Sequence, residues 1–375
     1  MSSGPLTGVK IIEFAGIGPG PFAAMLLSDM GAEILRIERA NSLFAGMQDI
    51  ALRGRKSVTL DLTKPSAIAA IKEITTGVDV VLEGYRPGVM EKLGLGPDDL
   101  CALNPRLIYG RMTGWGQDGP LAQTAGHDIN YIALSGLLGM IGPKEKPVPP
   151  LNLVGDFGGG ALYLAMGVCA ALFETARSGK GQVIDCAITD GTASLGAMFY
   201  SFQQMGFLSP KRASNMLDGG APYYDVYETK DKKFISLGSI EPKFYALLRE
   251  KAGLTDEIFD AQNDAQKWPE MKEKLAAIIA NKTRDEWDEI LAGTDVCYAP
   301  VLDITEAKDH PHNKARETII HAHGLDQPNV APRFSRTKSA IQGPPVVAGA
   351  DNDTAFTDWG VSEEILEKLK AEEAI

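Results

Sequence analysis

Residues 9–37, VKIIEFAGIGPGPFAAMLLSDMGAEILRI, join an apolar β-branched run, a glycine–proline turn, an apolar helical stretch and a second apolar run. Val9–Phe14 reads as a strand, Pro21–Met30 as a helix and Glu33–Ile37 as a strand, the signature of a parallel sheet covered by helices. The same alternation continues outward. Ser57–Leu62 reads as a strand, Ser66–Thr75 as a helix, and Val78–Leu82 and Leu107–Met112 as strands. Beyond Gly158-Gly159-Gly160, Ala161–Arg177 has helical spacing and stops at Ser178-Gly179-Lys180-Gly181, before a strand at Gln182–Ala187. The expected fold class is α/β, with a doubly wound parallel sheet in a large first domain.

From about residue 190 the pattern changes. A Met- and Phe-containing helical stretch precedes the turn-rich DGGAPYYD, a strand at Phe234–Leu237, and amphipathic helices near Lys243–Ala252 and Trp268–Ala280. This predicts a smaller α+β domain. Gly324–Gly349 is Pro-rich and aperiodic, as a long connection should be. Ser362–Glu373 reads as a short amphipathic helix capped by Ser362 and returning to the first domain. The expected division is residues 1–190 for the first part of the large domain, 191–222 linker, 223–315 small domain, 316–335 return linker and 336–375 the rest of the large domain.

A chain of 375 residues supports two sizeable cores and excludes a small stapled module. Its 37 Lys and Arg against 49 Asp and Glu leave a net charge of −12, so no general nucleic-acid footprint exists and an anionic ligand needs a local basic patch. The four cysteines form no CxxC pair, which points to reduced thiols. The amino terminus lacks the pattern of a secretory signal, no apolar run reaches the length of about 18 that spans a bilayer, and AEEAI is not a peroxisomal address. The expectation is a soluble cytoplasmic protein.

Several groups invite chemistry. Gly16-Ile17-Gly18-Pro19-Gly20 follows a strand and opens a helix, where amides suit a phosphate or carbonyl oxygen; it is not GxGxxG, and tight packing is the alternative. His127, in AGHDINY, stands at a helix entrance and suits a general base or a structural role. Asp156, in VGDFGGG, is either an N-cap or a functional carboxylate; the three glycines after it favour function, because their amides would meet an oxyanion. Glu241 in GSIEP reads first as a polar loop tip and second as a partner orienting a base. His310, His312, His321 and His323 are taken as connector residues, with no metal site expected. Arg36, Arg39, Arg53, Arg55, Lys56, Arg86 and Lys92 concentrate cations in the first domain, as a polyphosphorylated ligand would require.

LTGVKIIEFAGIGPGPFAAMLLSDMGAEILRIER, LEGYRPGVMEKLGLGPDDL, YGRMTGWGQDGP, AGHDINYIALSG, PPLNLVGDFGGG, GKGQVIDCAITDG, NMLDGGAPYYDVYE, SIEP and APRFSRT together resemble the α-methylacyl-CoA racemases, bacterial type, of the family III CoA-transferase superfamily. AGHDINY with VGDFGGG marks the racemase branch. The resemblance implies a large Rossmann-like domain completed by the carboxyl terminus, a smaller domain, and an interlocked homodimer. Matched residue by residue, it implies catalytic bases at His127, assisted by Glu241, and at Asp156. It places contacts to coenzyme A or the acyl chain at Ile17, Arg39, Leu60, Asp61, Leu62, Thr63, Gly84, Tyr85, Arg86, Gly126, Asp128, Ile129, Asn130, Tyr131 and Asn152. Lys92 stands where many relatives carry Arg, keeping a point charge without bidentate geometry.

The chemistry agrees with that carry-over. Inverting a 2-methylacyl-CoA thioester requires a proton to leave one face of the α-carbon and another to arrive on the opposite face, so two acid/base groups must flank it. Amides near Gly16 or after Asp156 would hold the enolate, and no metal or other cofactor is expected beyond coenzyme A in the substrate. Met198, Met205 and Met216 offer an adaptable surface for the acyl chain, or ordinary core filling. The rivals are a CoA-transferase working through acyl-aspartyl anhydride and aspartyl-CoA thioester intermediates at Asp156, and a non-catalytic acyl-CoA-binding protein.

Overall fold

The computed structural model describes residues 3–40 and 49–375. The chain divides into two compact units, one drawn from residues up to Ser135 with Leu151–Leu195 and Ile319–Ile375, the other from Gly136–Pro150 and Gly196–Thr318.

In the first unit the strands β1 (Lys10–Phe14), β2 (Glu33–Glu38), β3 (Lys56–Thr59), β4 (Val80–Glu83), β5 (Ile108–Thr113) and β6 (Val183–Ala187) form one sheet in the order β3-β2-β1-β4-β5-β6. All five pairings are parallel, with Ile11 opposite both Ile34 and Val80. Helices α1 (Pro19–Asp29), α2 (Pro65–Thr75), α3 (Val89–Lys92), α4 (Pro97–Leu103), α5 (Asp128–Leu134), α6 (Leu162–Ser178) and α7 (Ile188–Leu195) connect and cover the strands. Successive residues of a strand point to opposite faces. Ile12, Phe14, Leu35, Ile37 and Val58 therefore enter one core, with Ile71 and Ile74 of α2, while Ile11, Ile34, Val80 and Ile108 enter the other with Leu27 of α1 and Leu164 and Val168 of α6. A sheet buried on both faces reads as continuous apolar runs, which is why these strands stood out in the sequence.

The second unit holds helices α8 (Ala197–Gln204), α9 (Pro242–Ala252), α10 (Trp268–Ile279), α11 (Arg284–Leu291) and α12 (Pro311–Arg316), and an antiparallel sheet of β7 (Tyr224–Glu228), β8 (Phe234–Gly238) and β9 (Tyr298–Val301). Tyr223, Phe259, Trp268 and Trp287 dominate its core. Thr283 and Glu286 close a capping box at the start of α11.

The chain returns to the first unit as the hairpin β10 (Ile319–Ala322) and β11 (Leu325–Pro328), followed by α13 (Ala355–Asp358) and α14 (Glu363–Ala371). Strand β11 falls inside the stretch expected to be irregular. Ser362 caps α14, accepting from the Ile365 amide at 3.4 Å, and also meets Glu73 of α2 at 2.8 and 3.0 Å. Phe356, Trp359 and Leu369 complete the core beside α2. A second departure concerns apolar length, since the helical stretch Leu153–Ser178 is long and apolar enough to cross a bilayer by length and composition. Part of that stretch supplies Leu164, Val168 and Ala171 to the core.

Candidate active site

Strand β1 has β2 on one side and β4 on the other, so the chain's crossovers leave in opposite directions at this point. In such sheets the crevice beyond the carboxyl ends of the strands takes the ligand. A cavity of about 730 Å³ lies there, entirely within the first unit, lined from β1 by Glu13 to Pro21, from β4 by Leu82 to Pro87 and from β5 by Met112 to Trp115. Gly126, His127, Tyr131, Asn152 and Asp156 complete its wall.

The turn Gly16–Gly20 enters the cavity as the sequence suggested. The N–H groups of Gly16, Ile17 and Gly18 find no backbone acceptor among the described residues, and Pro19 opens α1 where an amide would go unpaired in any case. Gly18 has φ +71°, and a Cβ there would stand 2.9 Å from Oδ2 of Asp156, so only glycine fits. Beneath the turn, Arg36 donates to the Gly16 carbonyl at 3.4 Å and Arg55 to the Pro21 carbonyl. Both guanidiniums also bind buried Glu13, at 2.5 and 2.6 Å. Burial alone would raise the Glu13 carboxyl, but Arg55 and Arg36 outweigh it and hold the group below its ordinary range. Arg53 is likewise buried, forked onto Asp29 at 2.5 and 3.1 Å. The expected basic patch is therefore smaller than its sequence cluster, because three of its seven cations neutralise internal carboxylates.

His127 is the N-cap residue of α5; its amide donates to Oδ1 of Asn130 at 3.0 Å, and its carbonyl accepts from the Asn130 amide at 2.8 Å. The imidazole is exposed at the cavity wall. Asp156 rides on a nine-residue π-helix, Leu153–Ala161, that runs directly into α6. Such wide turns recur at functional sites, and Leu151, two residues before it, has φ +58°, an uncommon value for a residue with a side chain. Oδ1 of Asp128 accepts from the Asp156 amide at 2.7 Å, and Asn152 reaches the Asp156 carboxylate at 3.5 Å. Burial first, and the Asp128 charge second, push the Asp156 carboxyl above its ordinary value, against smaller opposing effects of Asn152 and His127. The glycines after Asp156 do not meet the sequence expectation. Gly159 and Gly160 are buried, with Thr192, Ile188 and Pro19 where their Cβ atoms would stand, and none of Gly158 to Gly160 lines the cavity. Their smallness serves helix packing.

Tyr131 donates to the Gly126 carbonyl and meets Trp115 edge-on at 4.7 Å, closing one wall. Burial and the Asp156 charge raise its phenol. Gly84, Tyr85 and Arg86 also line the cavity, and Arg86 is exposed.

Ile17, Gly84, Tyr85, Arg86, Gly126, His127, Tyr131, Asn152 and Asp156 thus border one cavity, and Asp128 holds Asp156 from behind. Arg39, Leu60, Asp61, Leu62, Thr63, Lys92, Ile129 and Asn130 do not line it. Arg39 is exposed, and its charge is felt by Tyr85 and Asp61. Glu241 belongs to the second unit, where it is the exposed N-cap residue of α9. Met198, Met205 and Met216 are exposed residues of that unit. His310 caps α12, and His321 pairs with Asp326 at 2.7 Å. No three His, Cys, Asp or Glu side chains gather as a metal set among the described residues. The sequence reading missed Glu13, Glu83 and Arg111, whose partners are distant in sequence and lie on other elements. The only local signal was a charge inside an apolar strand.

The chain matches CoA-transferase family III over residues 6–352. It is 44% identical over 99% of its length to the alpha-methylacyl-CoA racemase of Mus musculus, and 42% identical to that of Homo sapiens, covering 97% of each. It is also 31% identical over 99% of its length to the succinyl-CoA–D-citramalate CoA-transferase of Chloroflexus aurantiacus, covering 98% of that protein. A CAIB/BAIF family protein from Brucella suis shares the architecture with a TM-score of 0.83 at 25% identity, over 95% of this chain and all of that one.

Proposed function

The chain belongs to CoA-transferase family III, and from that premise we propose that it interconverts (2R)- and (2S)-2-methylacyl-CoA thioesters by moving protons on and off the α-carbon. Full-length relatives named racemases, at 42 and 44% identity, support a racemase reading within the family. The observation that carries the mechanism is that His127 and Asp156 border one cavity from different elements, with the Asp156 carboxyl raised above its ordinary value by burial and by Asp128. A carboxyl raised in this way holds a proton more readily than an ordinary aspartate, which suits a group that must both accept and return one.

In the proposed reaction one base takes the α-proton, the C–H electron pair passes into the thioester as an enolate, and the other base delivers a proton to the opposite face. Unpaired amides of the Gly16–Gly18 turn at the cavity wall are placed to stabilise the enolate oxygen. Arg86, with Arg39 and Lys92 beyond the cavity, would meet the phosphates of coenzyme A. Neither a metal nor a redox group is needed in this scheme. A homodimer in the cytoplasm is part of the same proposal; the outer face of α6 leaves Leu162, Met166 and Phe173 exposed, an apolar stripe that a second copy would cover.

The test is exchange of the α-proton of both enantiomers in deuterated water, expected to survive exhaustive chelation. Activity lost to chelation and restored only by a divalent ion would remove the scheme. A transferase reading draws on the Chloroflexus relative and also uses Asp156, as a nucleophile. An aspartyl hydroxamate formed at Asp156 when hydroxylamine is added during turnover, with release of the acid or of coenzyme A, would favour it.

A further inference from the structure

The turn that carries Tyr85 and Arg86 is held at both ends by a single guanidinium. Glu83, the last residue of β4, is 3% exposed, and its two carboxylate oxygens are both engaged. Oε2 accepts from the Tyr85 amide at 2.7 Å, and Oε1 from Nε of Arg111 at 2.9 Å. Arg111, on β5 and 7% exposed, forks its remaining nitrogens onto Glu91 of α3 at 2.8 and 3.3 Å. Glu83 and Glu91 flank the segment 84–90, so Arg111 closes that segment into a ring from below. Lys92 follows Glu91 directly, and the Pro87 carbonyl in the middle accepts from Gln123 at 3.1 Å.

Arg111 and Glu91 do not line the cavity, and Glu83 reaches its wall with both carboxylate oxygens already engaged. A bidentate fork is rigid where a lysine would be a single movable point. Burial pushes the Glu83 carboxyl up against the pull of the Tyr85 amide and Arg111, while Arg111 holds the Glu91 carboxyl down despite burial. The inner contact is desolvated and the outer one is open to water, since the Glu91 side chain is 44% exposed.

We propose that Arg111, through Glu83 and Glu91, is a positioning residue that presets the cationic turn at Arg86 and Lys92 for the polyanionic carrier of the thioester. The inference rests on the reading that Arg86 meets that carrier. A preset loop loses less freedom on binding, so the clamp acts on affinity and leaves the proton-transfer step alone.

Arg111→Met would leave Glu83 buried without its counter-charge and risks the fold, so Glu91→Gln, which loosens only the outer arm, is the working variant. The expected result is a KM for acyl-CoA raised roughly three- to tenfold with kcat nearly unchanged. Because the clamp acts through Arg86, Glu91→Gln should add little in an Arg86→Ala background, which a merely structural role would not produce. If Glu91→Gln leaves KM unchanged, or its effect adds fully to that of Arg86→Ala, the clamp is overturned while the carrier reading stands. If Arg86→Ala itself leaves KM unchanged, the carrier reading of this turn fails, and the clamp with it.

Discussion

Two glycine-rich runs approach the Asp156 carboxylate, one from β1 and one along its own helix, and they do opposite things. Gly16, Ile17 and Gly18 present amides with no backbone acceptor among the described residues, and Gly18 lies against Asp156 itself. Gly158 to Gly160 turn away, letting α7 approach so closely that a Cβ on Gly191 would sit within bonding range of the Gly159 carbonyl. A run of glycines in a sequence says that something comes near the backbone. Whether that is a ligand or another helix is decided by what lies on the far side.

Replacing one glycine in each run should separate the two roles. Gly159→Ala would place a methyl 2.7 Å from the Thr192 amide and 3.1 Å from the Ile188 carbonyl, backbone that cannot step aside. We expect a stability loss of about 3 kcal/mol, read by thermal or denaturant unfolding, with any activity loss following the folded fraction. Gly18→Ala should reverse the pattern. Its positive φ makes it destabilising by about 1 kcal/mol, whereas displacing the Asp156 carboxylate should lower kcat by about a hundredfold. Equal Tm losses with equal residual activity would erase the distinction.

The carboxylate between the runs gives two finer predictions. Asp128→Asn keeps an oxygen for the Asp156 amide but removes the charge that helps raise the Asp156 carboxyl, so the acid limb of kcat/KM should move to lower pH. An unmoved limb would show that Asp156 does not govern it. Because the folded state raises this carboxyl, its contribution to stability is full below the unfolded value of about 4 and is lost as pH rises through the raised one. Asp156→Asn should therefore be somewhat more stable than the parent at neutral pH, the difference closing in acid. Unfolding curves at both pH values would check it.

The parallel sheet was legible because strands buried on both faces form apolar runs, and each observed strand lies within a few residues of its expected place. His127, Asp156 and the Gly16 turn were legible as polar or glycine-rich breaks at element ends, and the sheet's switch point brings all three to one cavity. The fate of Arg36, Arg53 and Arg55 was not legible. Glu13 and Asp29, which neutralise them, lie on other elements, and no local spacing reports such a pairing. The π-helix was hidden for a similar reason, since the helix was expected to begin at Ala161 and nothing local to Leu153–Ala161 reports that α7 packs closely against it.

The central claim is that His127 and Asp156 serve opposite faces of one α-carbon. It is tested most directly by following deuterium exchange, enantiomer by enantiomer, in His127→Ala and Asp156→Asn. Each variant should lose inversion by about 10²–10⁴-fold yet keep slow exchange with retention, in one enantiomer for the first variant and in the other for the second. The same residual enantiomer in both would contradict the account.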